Sequence, residues 1–185
     1  MAKVSAFLAD GCEEVECLAV VDMLRRAGIT VELVSIADKD FVTSSRGVKV
    51  GADKKFREAD FSDSDILFLP GGMPGTKNLY ECKPLCDLLK KQNDEGKRIA
   101  AICAAPGYVL GQLGLLKGHT ATVHPGFEEY LVGATYTHDG VVTSGNITTA
   151  RGVGFAIDLG LELVGLLLGN DAKEELRGKI QYPGL

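Results

Sequence analysis

Cys103 is the residue whose position most suggests chemistry. It closes an apolar run, Ile99 to Ile102, and a helical pattern (Tyr108, Val109, Leu110, Leu113) restarts a few residues later. A strand that turns straight into a helix puts its junction residue on a tight, strained bend. The two backbones come close together there, so the residues two before and two after must be small. Ala101 and Ala105 meet that need. The pattern small-x-Cys-x-small describes a nucleophile elbow carrying a thiol. The N–H groups of the following helix are expected to favour thiolate over thiol. The competing reading is a buried structural cysteine, since cysteine is among the most buried residue types.

Other segments supply partners for such a thiol. Glu16 lies in the first turn of a helix beside apolar positions and is expected to face inward, whereas Glu13 and Glu14 read as surface acids suited to a helix start. A carboxyl buried beside a thiolate is pushed toward its protonated form by desolvation and like charge, and can then donate to sulfur and move a proton. Gly71-Gly72 allow close approach of backbone to a ligand. The N–H of Gly72 and that of Ala104 would together make a two-donor oxyanion hole, although an ordinary loop after a strand explains the glycines equally well. His124, one of three histidines, ends a strand and precedes Pro125. It reads either as a structural or surface histidine, or as a base or orienting group beside Cys103.

These residues need a scaffold. Lys3 to Ala9 reads as a strand. Cys12 to Ala27 reads as a helix with acids first, arginines last and Gly28 past its end. Thr30 to Ile36 is a second strand, which makes a βαβ unit and hence a parallel sheet. Phe41 to Val50 reads as a hairpin, Ile66 to Leu69 as a buried strand, Pro70 to Gly75 as a loop and Leu85 to Asn93 as a helix. After the Cys103 strand come a short strand at Thr120 to Val123 and a hairpin around Gly145-Asn146. A long helix follows from Gly152 to Leu168, with Phe155, Leu159, Leu163 and Leu167 as its core stripe, and then a last polar helix from Asp171 to Lys179. The expected architecture is one domain spanning residues 1–185: α/β, a flavodoxin-like three-layer sandwich with a mainly parallel sheet and helices on both faces. Sites in such sheets form above the carboxyl ends of the strands, which would gather the four segments just described.

Composition narrows the function. A net charge of −5 with no basic block argues against a nucleic-acid backbone binder. The start of the chain lacks the apolar core and cleavage site of a signal peptide, and Leu163 to Leu168 is far too short to span a bilayer. The five cysteines (Cys12, Cys17, Cys82, Cys86, Cys103) match no disulfide framework and read as reduced thiols of a cytoplasmic protein. Cys82 and Cys86 could share a helix face, but two thiols make a poor zinc site, and no metal is expected.

Taken together, Asp10-Gly11-Cys12-Glu13-Glu14-Val15-Glu16, Leu69-Pro70-Gly71-Gly72-Met73-Pro74-Gly75 with Asn78-Leu79, Ala100-Ala101-Ile102-Cys103-Ala104-Ala105-Pro106 and His124-Pro125 resemble the ThiJ/PfpI superfamily, along essentially the whole chain and in order. The branch they most resemble is that of the parkinsonism-associated deglycase and its small bacterial relatives. Arg25-Arg26-Ala27-Gly28 and Thr149-Ala150-Arg151-Gly152-Val153-Gly154 add to the likeness, with Val153 where many relatives have proline. The resemblance implies that Cys103 is the reactive, readily oxidised cysteine and Glu16 the protonated carboxyl beside it. Gly72 and Ala104 match the oxyanion-hole amides, and His124 the histidine near the cysteine. It also implies a homodimer that needs no metal or organic cofactor. Cys12 and Cys17 depart from the usual pattern and could compete as a second oxidisable thiol or a resolving partner.

Three functions stay open on these residues. The first is an enzyme on small reactive carbonyls, turning methylglyoxal into lactate or removing glycation adducts from amines and thiols. The second is an oxidative-stress sensor or redox-regulated chaperone working through Cys103 oxidation. The third, ranked last, is a cysteine peptidase. The natural substrate and the dimer interface are not legible, although the first helix is the expected contact.

Overall fold

The inner strands of the central sheet are buried on both faces, so both faces must be covered, and the two sets of alternating side chains build two cores. The computed structural model describes residues 2–183. Its strands are β1 (Lys3–Leu8), β2 (Thr30–Ser35), β3 (Phe41–Thr43), β4 (Lys49–Gly51), β5 (Lys54–Lys55), β6 (Ile66–Leu69), β7 (Arg98–Ile102), β8 (Thr120–Ala121), β9 (Thr135–Tyr136), β10 (Val141–Ser144) and β11 (Ile147–Ala150). Its α-helices are α1 (Glu14–Arg26), α2 (Gly75–Glu81), α3 (Lys83–Asp94), α4 (Ala156–Leu168) and α5 (Asn170–Lys179).

Seven strands form the main sheet in the order β10-β11-β7-β6-β1-β2-β5. The central run β2-β1-β6-β7-β11 is parallel throughout, and β10 closes one edge antiparallel to β11. This is the flavodoxin-like order, with β5 and β10 added at the edges. On one face Ala6, Leu8, Phe68, Ala100 and Ile102 pack with residues of α1 and α4. On the other, Phe7, Leu67, Leu69, Ile99 and Ala101 pack with residues of α2 and α3 and the segment after Cys103. Each fully buried leucine or phenylalanine contributes about 1.5–3 kcal/mol relative to exposure. Because β2 and β6 flank β1 on opposite sides, their connections leave the sheet in opposite directions, and a crevice opens above the ends of β1 and β6.

Several expectations are corrected. The Pro70 loop is shorter than its composition suggests, because Gly75 already begins α2, a helix the sequence reading did not anticipate. The segment after Cys103 is a π-helical turn over Pro106–Gly111, not a regular α-helix. Its glycines explain the tight winding around it. A Cβ on Gly107 would lie 2.8 Å from the Phe127 carbonyl oxygen, and one on Gly111 would overlap the Tyr130 carbonyl. The helix expected from Gly152 starts with a 3₁₀ turn at Val153–Phe155, and α4 proper begins at Ala156. Phe155 therefore lies outside the core stripe and is exposed, while Leu159 and Leu163 are fully buried. The Phe41 to Val50 hairpin forms as a separate two-stranded sheet, β3-β4.

Candidate active site

Cys103 follows β7 with φ 65°, in the left-handed region that L-residues other than glycine seldom adopt. Holding it there costs about 1–2 kcal/mol, and neighbouring backbone supplies the restraint. The Cys103 N–H donates to the Ala150 carbonyl at 2.9 Å, and the Cys103 carbonyl accepts the His124 N–H at 2.8 Å. The bend expected from Ala101 and Ala105 is present, and both alanines are fully buried. Cys103 itself is half-buried.

Glu16 does face inward and is only 1% exposed. Gly71 is the hinge of its environment. The Gly71 N–H donates to Glu16 Oε2 at 3.0 Å, and the Gly71 carbonyl accepts the Glu13 N–H at 2.9 Å. A Cβ on Gly71 would stand 2.5 Å from both Cys103 Cβ and Glu16 Oε2, so nothing larger than glycine fits between thiol and carboxyl. Glu13 and Glu14 are not surface acids. Glu13 caps α1, its Oε2 accepting the Glu16 N–H at 2.6 Å. The Glu14 carboxylate is held low by backbone N–H donors first of all and by Ser44 and Arg46 of the β3-β4 hairpin. That hairpin straps the loop in place. Ser45 N–H donates to the Cys12 carbonyl at 2.7 Å, Gly11 N–H to the Thr43 carbonyl at 2.7 Å, and Thr43 N–H to Asp10 Oδ1 at 2.9 Å. Sequence reading missed the hairpin strap and the Glu13 cap. The Glu13-x-x-Glu16 spacing, that of a capping box, was the available signal for the cap.

Burial pushes the Glu16 carboxyl up to about 7. A hydrogen bond with Cys103 opposes the rise, and the Glu13 charge adds to it. The thiol does not follow the expectation of an easily formed thiolate. Burial first, then the charge and hydrogen bond of Glu16, push Cys103 up to about 12, against donation from the Gly72 and Ala104 N–H groups. The two groups lie within hydrogen-bonding reach of each other, and two anions at that separation are unfavourable. Protonating Glu16 removes its opposition to the thiolate and leaves the two N–H donors in its favour. Thiol and carboxyl therefore act as a unit that holds one proton between them.

Gly71, Gly72 and Ala104 thus converge with Glu16 on Cys103. His124 converges only through its backbone. Its exposed ring places Nδ1 2.9 Å from the Pro125 carbonyl, so in the neutral ring Nδ1–H donates there and Nε2 keeps the lone pair. Cys12 and Cys17 are fully buried, whereas Cys103 is half-buried, so neither competes with it for a reagent from solution; burial raises both, Cys12 to about 11. Cys86 Sγ–H donates to the Tyr80 carbonyl at 3.1 Å. Among the described residues no group of three or more His, Cys, Asp or Glu is arranged to hold a metal ion, and no helix is long and apolar enough to cross a membrane.

Comparison with known proteins identifies the family. Residues 2–166 match the model of the DJ-1/PfpI family. The chain is 38% identical over 179 residues to protein DJ-1 homolog B of Arabidopsis thaliana, covering 96% of this chain but 41% of that protein, so it spans about two fifths of that relative's length. It is 31% identical over 169 residues to the glutathione-independent glyoxalase DJR-1.2 of Caenorhabditis elegans, covering 90% of this chain and 89% of that one. The solved structure of oxidized Toxoplasma gondii DJ-1 superposes with a TM-score of 0.95 at 34% identity, covering 100% of both chains.

Proposed function

The chain belongs to the DJ-1/PfpI family, and on that premise we propose that it is a single-domain, cofactor-independent cysteine enzyme acting on small reactive carbonyls. The observation that carries the reading is a buried carboxyl within reach of a thiol on a strained bend, with two backbone N–H groups donating to the same sulfur. A relative being a named glyoxalase supports the same class. The Cys103 sulfur adds to the aldehyde carbon of a 2-oxoaldehyde. The C=O electron pair moves to oxygen, where the Gly72 and Ala104 N–H groups stabilise it, and the oxygen takes up the thiol proton to give a hemithioacetal. Glu16, as carboxylate, removes the proton from that carbon and returns it to the neighbouring carbonyl carbon, while the hydroxyl proton passes to the neighbouring oxygen, as the adduct isomerises to a thioester. Water then cleaves the C–S bond, releasing the 2-hydroxy acid and regenerating the thiol. With methylglyoxal the product is lactate. A glycated amine or thiol would enter by the same site, with the amine or thiol as leaving group. Catalytic roles fall to Cys103 and Glu16, oxyanion binding to Gly72 and Ala104, and positioning of Glu16 to Gly71. His124 supplies Nε2 as a substrate-orienting group at the rim.

We assign the protein to the cytoplasm as a homodimer. Val15 and Leu18 on α1 are 51% and 39% exposed, and Val153 just before α4 and Ile157 in its first turn are 51% and 37% exposed. Because α1 packs against α4, these side chains supply apolar surface suited to a second copy. A second reading, a redox sensor, draws on the half-exposed Cys103, which would carry its oxidised sulfur beside Glu16. A peptidase has least support, because among the described residues no hydrogen bond joins the exposed His124 ring to Cys103, and its Nδ1 bonds to the Pro125 carbonyl.

The deciding experiment incubates metal-free protein with methylglyoxal and measures lactate for wild type, Cys103→Ser and Glu16→Ala. Lactate formation by wild type, lost by at least about a hundredfold in both variants, is the expected result. Absence of lactate together with ready peroxide oxidation of Cys103 would replace the enzyme reading with the sensor.

A further inference from the structure

The start of α1 is a capping box with half of its bonds redirected. In the usual arrangement the N-cap side chain takes the N–H of the third helical residue, and that residue's carboxyl reaches back to the N-cap N–H. Here the first half is intact: Glu13, the N-cap, accepts the Glu16 N–H at 2.6 Å. The return bond is missing, because the Glu13 N–H donates instead to the Gly71 carbonyl at 2.9 Å. The Glu16 carboxyl is free of that duty and accepts the Gly71 N–H at 3.0 Å. A single peptide segment from the neighbouring loop thus replaces both ends of the absent bond. Gly71 can do so because it has no Cβ to meet Glu16 Oε2 and Cys103 Cβ.

Glutamate is also an unusual choice of cap. Serine, threonine, aspartate and asparagine are preferred at this position and would secure the helix at least as well. Helix stability therefore does not explain Glu13, whereas its negative charge, which only aspartate among those caps shares, is seated one hydrogen bond from the Glu16 N–H.

We propose that Glu13 is the positioning residue of the Glu16–Cys103 pair: its backbone N–H, taken by Gly71, leaves the Glu16 side chain free to reach sulfur, and its carboxylate, seated on the Glu16 N–H, keeps a proton between the two groups. This deepens the proposed enzyme reading and rests on it only in taking Glu16 and Cys103 as the working pair. The groups facing Glu16 are Glu13 and Cys17 from its own segment, the Gly71 N–H from the loop after β6, and Cys103 from the end of β7. Among the charges, Glu13 is the one that opposes ionisation of Glu16.

The test uses Glu13→Gln and Glu13→Thr in the full chain. Both keep an acceptor for the cap, and both remove the charge. The readout is the pH dependence of Cys103 alkylation by iodoacetamide, with the Glu16 carboxyl followed by ¹³C NMR. Neither measurement needs a substrate, so a failure of the glyoxalase reading leaves it intact. In both variants the midpoint below which alkylation is lost is expected to move to lower pH by about half a unit or more, and the Glu16 titration to move with it. Because ionised Glu16 opposes the thiolate, at a pH above the wild-type midpoint this reads as about threefold slower alkylation, with rates unchanged well below it. Superimposable profiles for wild type and both variants would overturn the proposal, since a residue that only caps the helix leaves the midpoint in place. Should either variant lose its fold by circular dichroism, the wild-type protein alone decides. Glu16 carbon shifts that carry a second step at a pH below the Glu16 midpoint support the coupling, and their absence overturns it.

Discussion

At the scale of single residues, the site sets stability against chemistry. Glu16 is buried, and burial raises its carboxyl to about 7 from an ordinary value of 4.5. A carboxyl whose folded value lies above its unfolded one binds its proton more tightly in the native state. Its contribution to stability is then fully present below the unfolded value and is lost as pH rises through the folded value. The window here runs from about pH 4.5 to about 7. Above it the ionised Glu16 opposes folding by an amount on the order of 2–3 kcal/mol. Replacing Glu16 with Gln removes the ionisation and keeps an acceptor for the Gly71 N–H. Glu16→Gln is therefore expected to be more stable than wild type at pH 8, by about 2 kcal/mol, and nearly equal to it at pH 4, while losing turnover. Urea unfolding at the two pH values checks this; an equal or lower stability at pH 8 would show that the carboxylate is solvated better than its burial indicates. Cys103 carries a second cost, the left-handed backbone at φ 65°. Glu16 and Cys103 are each held in a state that their own preferences disfavour, as functional groups commonly are.

At the scale of elements, the parts legible in the sequence were those set by a strong period or a clear stop. β1, α1, β2, β6, β7 and α5 lie within a few residues of where apolar periodicity, Gly28 and Gly169 put them. The inward turn of Glu16 was also legible, because its neighbours in the helix are apolar. What escaped depended on contacts far apart in the chain. The winding around Pro106–Gly111 follows from the approach of the Phe127 and Tyr130 carbonyls. Phe155 fits a four-residue spacing yet precedes α4, so its periodicity carried no information about burial. The thiol's upward shift depends on Glu16 and on the depth of the site, and neither can be read from the elbow alone. Glycines illustrate the same division. Gly71 and Gly154 look alike in sequence, but a Cβ on Gly71 would crowd Cys103, Glu16 and the Ile102 carbonyl, whereas one on Gly154 meets nothing within 4 Å. Gly71→Ala is expected to destabilise by about 1–3 kcal/mol and to cut Cys103-dependent turnover at least about tenfold. Gly154→Ala should fall within about 0.5 kcal/mol of wild type or be slightly more stable. Thermal denaturation of the pair reads the difference, and equal effects at the two positions would contradict the packing around Gly71.

At the scale of the whole molecule, the site and the proposed dimer contact share an element. α1 presents Glu16 to Cys103 from its first turn and, on its outer side, exposes Val15 and Leu18. The two faces cannot move independently, because consecutive residues of one helical turn are rigidly linked. The strap that fixes the start of α1, residues Thr43 to Ser45, also belongs to a hairpin whose outer residues Phe41 and Val48 are exposed. A second copy packed on this side would stiffen the loop that orients the catalytic carboxyl, so assembly and chemistry are expected to be coupled. Leu18→Lys tests this, since it places a charge in the centre of the apolar stripe without touching a residue buried in the core. Wild type is expected to sediment as a dimer at micromolar concentration, and Leu18→Lys as a monomer with unchanged circular dichroism. An interfacial charge of this kind weakens association by about 2–4 kcal/mol, roughly 30- to 1,000-fold in the dissociation constant. Lactate formation per chain should fall with dissociation, and should recover for wild type but not for the variant as concentration is raised. A wild-type protein that sediments as a monomer at those concentrations would remove the α1 face from consideration as a self-association surface. A monomeric variant with full activity would separate the dimer from the chemistry and leave Glu16 held by the hairpin and Gly71 alone.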